Sequence, residues 1–357
     1  MNGQKKWKLS IPLLIVEVLV LIIAIGVLYL ITATTNEIER TAIDEENIII
    51  NEEVVETKIE KEQEEVEEVK KGYRNIALFG VDARDGELGR GTRSDTIIIA
   101  SINQDTHEIK LISVYRDTYL NLGNDSYNKC NGAYAKGGPE QAITMLNMNL
   151  DMDITDYVTV GFSGLIDAID CLGGIEIEIT ESEINHLNNY QLCMAEEMGV
   201  DYIPVTEPGL QTLNGMQATA YCRIRYTKGD DFRRAERQRD VLGAMMLKAK
   251  DASLTTLGDV VTAVLPSVNT SLSVNEIISV LGTVAEYNVV ASEGFPFQSE
   301  RTNATIGSKG DCIIPTTLEE NVVMLHELLY AEEDYMPSKQ VIGLSEEIMQ
   351  QTADFIQ

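Results

Sequence analysis

Histidine is scarce in this 357-residue chain. The three present, His107, His186 and His326, are far apart in sequence, which argues against a histidine-ligated zinc site and against a Ser-His-Asp triad. Cysteine is sparse too. The five (130, 171, 193, 222 and 312) form no CxxC pair and no metal-ligand spacing, and an odd number leaves at least one thiol unpaired within a monomer. Positive charge is short: 28 Lys and Arg against 57 Asp and Glu leave a formal net charge of −29. A chain so acidic does not bind nucleic acid nonspecifically. No internal repeat is visible.

Against that background the basic and apolar clusters stand out. The first ten residues hold Lys5, Lys6 and Lys8 and no acid, and from Ile11 to Ala33 the only charge is Glu17. As a helix, that run would extend about 34 Å, more than a hydrocarbon core of about 30 Å. A cleaved signal peptide would have a shorter apolar region, and Ile31-Thr32-Ala33 is a poor cleavage site. The expectation is a single uncleaved transmembrane helix over 11–33, with a cytoplasmic tail at 1–10. The lysines put the N-terminus inside and the rest of the chain outside the cell membrane.

Residues 36–71 carry 14 acids and 5 bases, with no Gly or Pro. Val55, Ile59, Val66 and Val69 fit a heptad interrupted at Glu62. With fewer than three clean heptads, a dimeric coiled coil is the second reading; the first is that 34–71 forms an acidic stem, helical or flexible, that lifts the following domain off the membrane. The domain is expected over 72–335, followed by a tail at 336–357.

Within it, strands are expected at 75–81, 96–102, 109–114, 157–160 and 175–179, the last from the strict alternation Ile175-Glu-Ile-Glu-Ile179. Asn103-Gln-Asp-Thr106 reads as the turn between the second and third strands. Gly138-Pro139 opens a helix to about Leu150. Ser163 is placed to cap a helix to Cys171, and Asn214 with Gln217 forms a capping box for a helix to about Tyr221. Further helices are expected at 233–250, 252–264, 274–288 and 317–330. Strands interleaved with helices define an α/β layered domain.

The candidate chemistry gathers at strand ends, where sites of α/β sheets lie. The first strand delivers Asp82 and Arg84. The second begins at Arg93-Ser-Asp-Thr96, and the third ends at Tyr115-Arg116-Asp117. Lys129 and Asn131 follow in a loop. Residues 223–239 then hold Arg223, Arg225, Lys228, Arg233, Arg234, Arg237 and Arg239 against Asp230, Asp231 and Glu236. Carboxylates near two strand ends supply hard oxygen ligands, suited to Mg²⁺ or Mn²⁺. Guanidinium forks match phosphate oxygens, and phosphoryl transfer depends mainly on positioning and charge stabilisation. Taken singly, an Arg-Asp pair is more often a structural ion pair and an arginine run a solvated face; their combination in this order carries the weight.

That combination resembles the LytR-CpsA-Psr family. The matching stretches are NIALFGVDAR (75–84), GTRSDTIIIAS (91–101), LISVYRDTYL (111–120), KCNGAYAKGGPEQA (129–142), DYVTVGFSGLIDAIDCLGGIEIEI (156–179), GLQTLNGMQATAYCRIRY (209–226) and DDFRRAERQRDVL (230–242), with NVVMLHELL (321–329) a looser match. The resemblance implies a three-layer α/β/α domain with a mixed central sheet and an apolar pocket for a polyprenyl tail. It also implies an enzyme that transfers a glycopolymer from a polyprenyl-pyrophosphate donor to peptidoglycan through a phosphodiester. By motif match, Asp82 and Asp95 hold Mg²⁺. Arg93, Arg116, Arg223, Arg225 and Arg234 bind the pyrophosphate with Lys129 and Gln238 nearby, and Asp231 or a metal-linked Asp is the candidate base. Pocket walls are expected from Ile143, Leu146, Leu165, Ile169, Val241 and Met245, all of which also suit an ordinary core.

Some positions depart from the family pattern. Arg233 stands where the family often has glycine; the extra cation would touch substrate or solvent, with solvent the default expectation. Cys130 and Cys222 flank Lys129 and Arg223, and a disulfide between them would brace two site segments. Alternative activities are hydrolysis of the lipid donor, which would use the same residues, and a non-catalytic envelope-binding or transcriptional-attenuator role. The glycopolymer, whether teichoic acid, capsule or another wall polymer, is not legible.

Overall fold

The computed structural model describes residues 47–64, 72–81, 88–225 and 230–356. The expected span at 11–33 lies outside these residues, as do Asp82, Arg84, Lys228 and parts of the stem. No helix among the described residues is long and apolar enough to cross a membrane.

The central sheet has six strands. In chain order they are β1 (Tyr73–Val81), β2 (Ser94–Asn103), β3 (Glu108–Val114), β6 (Asp156–Gly161), β9 (Val268–Thr270) and β10 (Asn288–Phe295), arranged β10-β3-β2-β1-β6-β9. The sheet is mixed. β2 runs antiparallel to both β1 and β3, β6 is parallel to β1, β10 is parallel to β3, and β9 is antiparallel to β6. Three two-stranded ribbons surround it: β4 (Tyr119–Asn121) with β5 (Tyr127–Lys129), β7 (Ile175–Ile179) with β8 (Gly209–Leu213), and β11 (Arg301–Thr305) with β12 (Asp311–Pro315).

Side-chain alternation separates two apolar faces. Ala77, Phe79, Val81, Ile97, Ile99, Ile112 and Val114 share one core with Ile143 and Leu146 of helix Asn131–Leu150, Leu325 of helix Leu318–Tyr330 and Ile348 of helix Lys339–Thr352. Ile98, Ala100, Ile109 and Leu111 point to the other face, against Leu242 and Met246 of helix Asp230–Lys250. Helices on both faces make three layers, and each fully buried Val, Ile, Leu or Phe side chain among them contributes about 1.5–3 kcal/mol.

Several local expectations hold. Ile175, Ile177 and Ile179 point inward while Glu176 and Glu178 are exposed. Asn214 accepts from the Gln217 amide and Gln217 reaches back to the Asn214 amide, starting helix Gly215–Arg223.

Others need correction. Helix Phe162–Cys171 begins on Gly161 without a side-chain cap, and the Ser163 hydroxyl instead lies 3.1 Å from that of Ser267. The helix expected to open at Gly138-Pro139 extends back to Asn131. Gly138, at φ 70°, breaks its path, and Pro139 starts the regular stretch. Helix Glu181–Met198, with its Thr180–Glu183 capping box, was not foreseen. The segment expected as a tail holds helix Lys339–Thr352, whose Val341, Leu344 and Ile348 join the main core.

Part of the expected stem is docked. Ile48 is buried in the main core. The Asn51 amide donates to Asp151, to the Met148 carbonyl and to the Ser338 hydroxyl, and Lys58 pairs with Asp153 at 2.8 Å. Asp151 also accepts from the Ser338 amide and hydroxyl and from Tyr335. Ser338 caps the C-terminal helix, so one buried carboxylate ties both ends of the described chain to helix Asn131–Leu150.

Candidate functional site

The alternating strand directions decide where the chemistry collects. Because β2 is antiparallel to β1 and β3, its beginning lies at the same edge of the sheet as their ends. Asp95, the second residue of β2, therefore meets Arg116, just beyond β3. Arg116 Nη1 donates to Asp95 Oδ1 at 3.0 Å, and its Nη2 lies 3.8 Å from Asp231 Oδ2.

Two more guanidiniums complete the network. Arg225 Nη2 lies 3.7 Å from Asp95 Oδ2, and its Nε lies 3.8 Å from Asp231 Oδ1. Arg234 Nη1 lies 3.1 Å from Asp231 Oδ1, one helical turn away. Three cations thus share Asp95 and Asp231. Asp117 stands at the edge, 3.8 Å from Arg116 Nε and 3.3 Å from Lys129 Nζ.

Burial works against the Arg116 charge, but Asp95, Asp231 and Asp117 outweigh it and hold its pKa above the usual guanidinium value. Burial, reinforced by the Arg116 charge, pushes Arg234 down to about 10. Arg234 stays cationic at neutral pH, in a place where a further anion would relieve it. Arg116 Nε and Arg234 Nε are buried without a hydrogen-bond partner among the described residues, so the site has donor capacity to spare.

Behind the network lies a cavity of about 610 Å³. Asp95, Arg116, Arg223, Arg225, Arg234 and Gln238 contribute its polar wall. Leu78 and Ile98 of the sheet, Leu165 and Ala168 of helix Phe162–Cys171, Val241 and Met245 of helix Asp230–Lys250, and Val260 and Val264 of helix Leu254–Val264 contribute the apolar one. The 234, 238, 241, 245 spacing sets one face of a single helix against the cavity, polar at one end and apolar at the other.

Of the expected walls, Leu165, Val241 and Met245 are confirmed. Ile143 and Leu146 lie in the core on the opposite face of the sheet, and Ile169 packs under the β7–β8 ribbon. The arginine run is divided likewise. Arg237 forms a buried pair with Glu183 at 2.8 Å, Arg239 donates to Ser292, and Arg233 pairs with Glu236 at 2.7 Å rather than facing open solvent. Arg93 is exposed just before β2. The cysteines are free thiols: Cys130 is packed against the carbonyls of Tyr115 and Arg116, while Cys222 lines the cavity, so the Cys130–Cys222 disulfide that sequence left open is not formed.

Asp82 lies outside the described residues, and among those described no group of three or more His, Cys, Asp or Glu could hold a metal ion. Asp95, half-exposed at the cavity, supplies the carboxylate oxygens that a hard cation takes. Sequence reasoning missed Tyr190 at the cavity, because it sits on the unforeseen helix Glu181–Met198.

The three-layer domain thus sets a group of guanidiniums and carboxylates at the mouth of a cavity whose remaining walls are apolar. The LytR_cpsA_psr family model matches residues 33–311. The chain belongs to the LytR-CpsA-Psr family. It is 32% identical over 219 residues to the polyisoprenyl-teichoic acid–peptidoglycan teichoic acid transferase TagU of Oceanobacillus iheyensis, covering 59% of this chain and 62% of that protein. With TagU of Bacillus subtilis it shares 33% identity over 221 residues, 60% of this chain and 65% of that protein. The chain thus spans slightly less than two thirds of the length of these relatives. Among solved structures, B. subtilis TagV superposes with a TM-score of 0.58 at 24% identity, covering 75% of this chain and 100% of that one. YwtF (TagT) with bound octaprenyl pyrophosphate lipid superposes with a TM-score of 0.51 at 18% identity, covering 81% and 94%.

Proposed function

We propose that this protein transfers a glycopolymer from a polyprenyl-pyrophosphate donor to a hydroxyl of peptidoglycan, leaving a phosphodiester. The observation that carries the reading is the Arg116, Arg225 and Arg234 cluster at the polar wall of an apolar cavity. A prenyl tail fits the cavity and a diphosphate fits the guanidiniums. The names of the TagU relatives support the same chemistry.

In this reading the acceptor hydroxyl attacks the phosphorus that bears the glycan. A new P–O bond forms, the P–O–P bond breaks, and polyprenyl phosphate leaves with the electron pair. Arg116 and Arg234 stabilise charge on the transferring phosphoryl group, while Arg223, Arg225 and Gln238 hold the diphosphate and Lys129 assists from the edge. Asp231 or Asp95 takes the hydroxyl proton. Asp82 and Asp95 would hold Mg²⁺ or Mn²⁺, which would neutralise diphosphate charge when bound. A membrane helix over 11–33 would keep the enzyme on the outer surface of the bilayer that holds its donor, raising their effective concentration.

The test is incubation of the protein with a lipid-pyrophosphate glycan, peptidoglycan oligomers and Mg²⁺. Glycan joined to peptidoglycan by phosphodiester supports the proposal. Release of glycan phosphate alone would make the protein a hydrolase, and tight binding without turnover would make it a binding protein.

A further inference from the structure

Arg223 is held differently from the other cavity arginines. Arg116, Arg225 and Arg234 each lie within ion-pair distance of Asp95 or Asp231. Arg223 has no carboxylate partner among the described residues. Its guanidinium instead lies 4.6 Å from the centre of the Phe162 ring and 5.6 Å from that of Tyr190. All three residues line the cavity.

They come from three helices. Phe162 is the first residue of Phe162–Cys171, Tyr190 lies in the middle of Glu181–Met198, and Arg223 ends Gly215–Arg223. An aromatic face attracts a cation through its quadrupole and fixes the plane of the guanidinium, yet adds no negative charge. A carboxylate would hold the same side chain but would compete with an incoming phosphate. The C-terminal end of a helix also favours the cation.

We infer that Phe162 and Tyr190 are positioning residues that clamp Arg223 between two rings and leave its charge free for the donor's diphosphate. This rests on the proposed function, and it separates the cavity's cations into two kinds. Three are shared with carboxylates that must be outcompeted or rearranged when the anion arrives. The fourth is held by aromatic rings, with no carboxylate partner among the described residues. Its contribution is to affinity for the diphosphate, with little effect on the chemical step.

The test uses the full-length protein in detergent, with farnesyl diphosphate as a binding probe by calorimetry and lipid-linked glycan as the transfer substrate. Tyr190→Leu and Phe162→Leu should each weaken farnesyl diphosphate binding and raise KM by about 3- to 30-fold with kcat within about twofold, the range of a partly desolvated cation–π contact. Tyr190→Phe, which keeps the ring, should restore binding to within about twofold. In an Arg223→Gln background, Tyr190→Leu should have no further effect. Equal loss in both backgrounds, a Tyr190→Phe variant as weak as Tyr190→Leu, or leucine variants that bind like the parent would each overturn the clamp. Failure of the unaltered protein to bind farnesyl diphosphate would count instead against the proposed function.

Discussion

Arg116 Nη1 lies 3.0 Å from Asp95 Oδ1 across the edge of the sheet, and the same guanidinium reaches towards Asp231 on a helix from another part of the chain. One side chain therefore joins the two carboxylates that Arg225 also approaches, one of which pairs with Arg234. Replacing Arg116 with alanine should lower transfer by about 100- to 1,000-fold, as expected for loss of a charge-stabilising donor in a partly buried site. Arg116→Lys should recover only a small part, because an ammonium cannot span both carboxylates as a fork. Product formation from lipid-linked glycan measures both.

Filling the cavity should act on the lipid and leave the fold intact. Val260 lines the cavity from helix Leu254–Val264 and is only half-buried, so a larger side chain has room to settle there. Val260→Trp should raise KM for a long-chain donor at least about tenfold, the effect of losing roughly two buried methylenes' worth of contact. The thermal midpoint should be nearly unchanged, and a variant that melts early would mean that the position is core.

The docked stem is open to a stability test. Asn51→Ala removes donors to Asp151, Met148 and Ser338 in a buried cluster, none of which lines the cavity. A loss of about 1–3 kcal/mol is expected, at about 2–4 °C of melting temperature per kcal/mol for a domain of this size. Turnover well below the transition should be retained.

Acid should weaken the protein partly through Glu276. The Ser273 side-chain and backbone hydrogen bonds, with Arg74, lower its pKa from 4.5 to about 2. A carboxylate depressed on folding stabilises the native state above its unfolded pKa and loses that effect as pH falls through the folded value. Stability should therefore fall between about pH 4.5 and 2, and Glu276→Gln should flatten the slope in that window. Denaturant titrations across the range measure it.

The thiols should separate by reactivity. Cys193 is exposed, whereas burial pushes Cys222 up to about 12. At pH 8 iodoacetamide should modify Cys193 at least about 100 times faster than Cys222. Bound lipid diphosphate should slow Cys222 further, because that residue lines the cavity.

Local signals that carry their own geometry were readable along the chain. The Asn214–Gln217 box needs only a four-residue stretch, and the alternation in Ile175–Ile179 needs only the period of a strand. Helix Glu181–Met198 escaped because its apolar positions are interrupted by Asn, Gln and His, and its buried Glu183 and Gln191 are polar. The docking of Ile49 and Asn51 escaped because their hydrogen-bond partners are Thr144, Met148, Asp151 and Ser338, nearly a hundred or more residues away.

The sequence by itself determined which charged residues stand at the ends of β1, β2 and β3, and that a basic run follows them in an acidic chain. It also carried the family motifs in order. Only the tertiary structure decided which members of that run serve the cavity. Arg234 and Gln238 lie one turn apart and face it, while Arg237 is rotated away to Glu183 and Arg239 to Ser292. A helix of 3.6 residues per turn sends neighbours to different sides. What those sides meet, an apolar cavity or a buried carboxylate, depends on strands and helices that the run's own sequence does not contain.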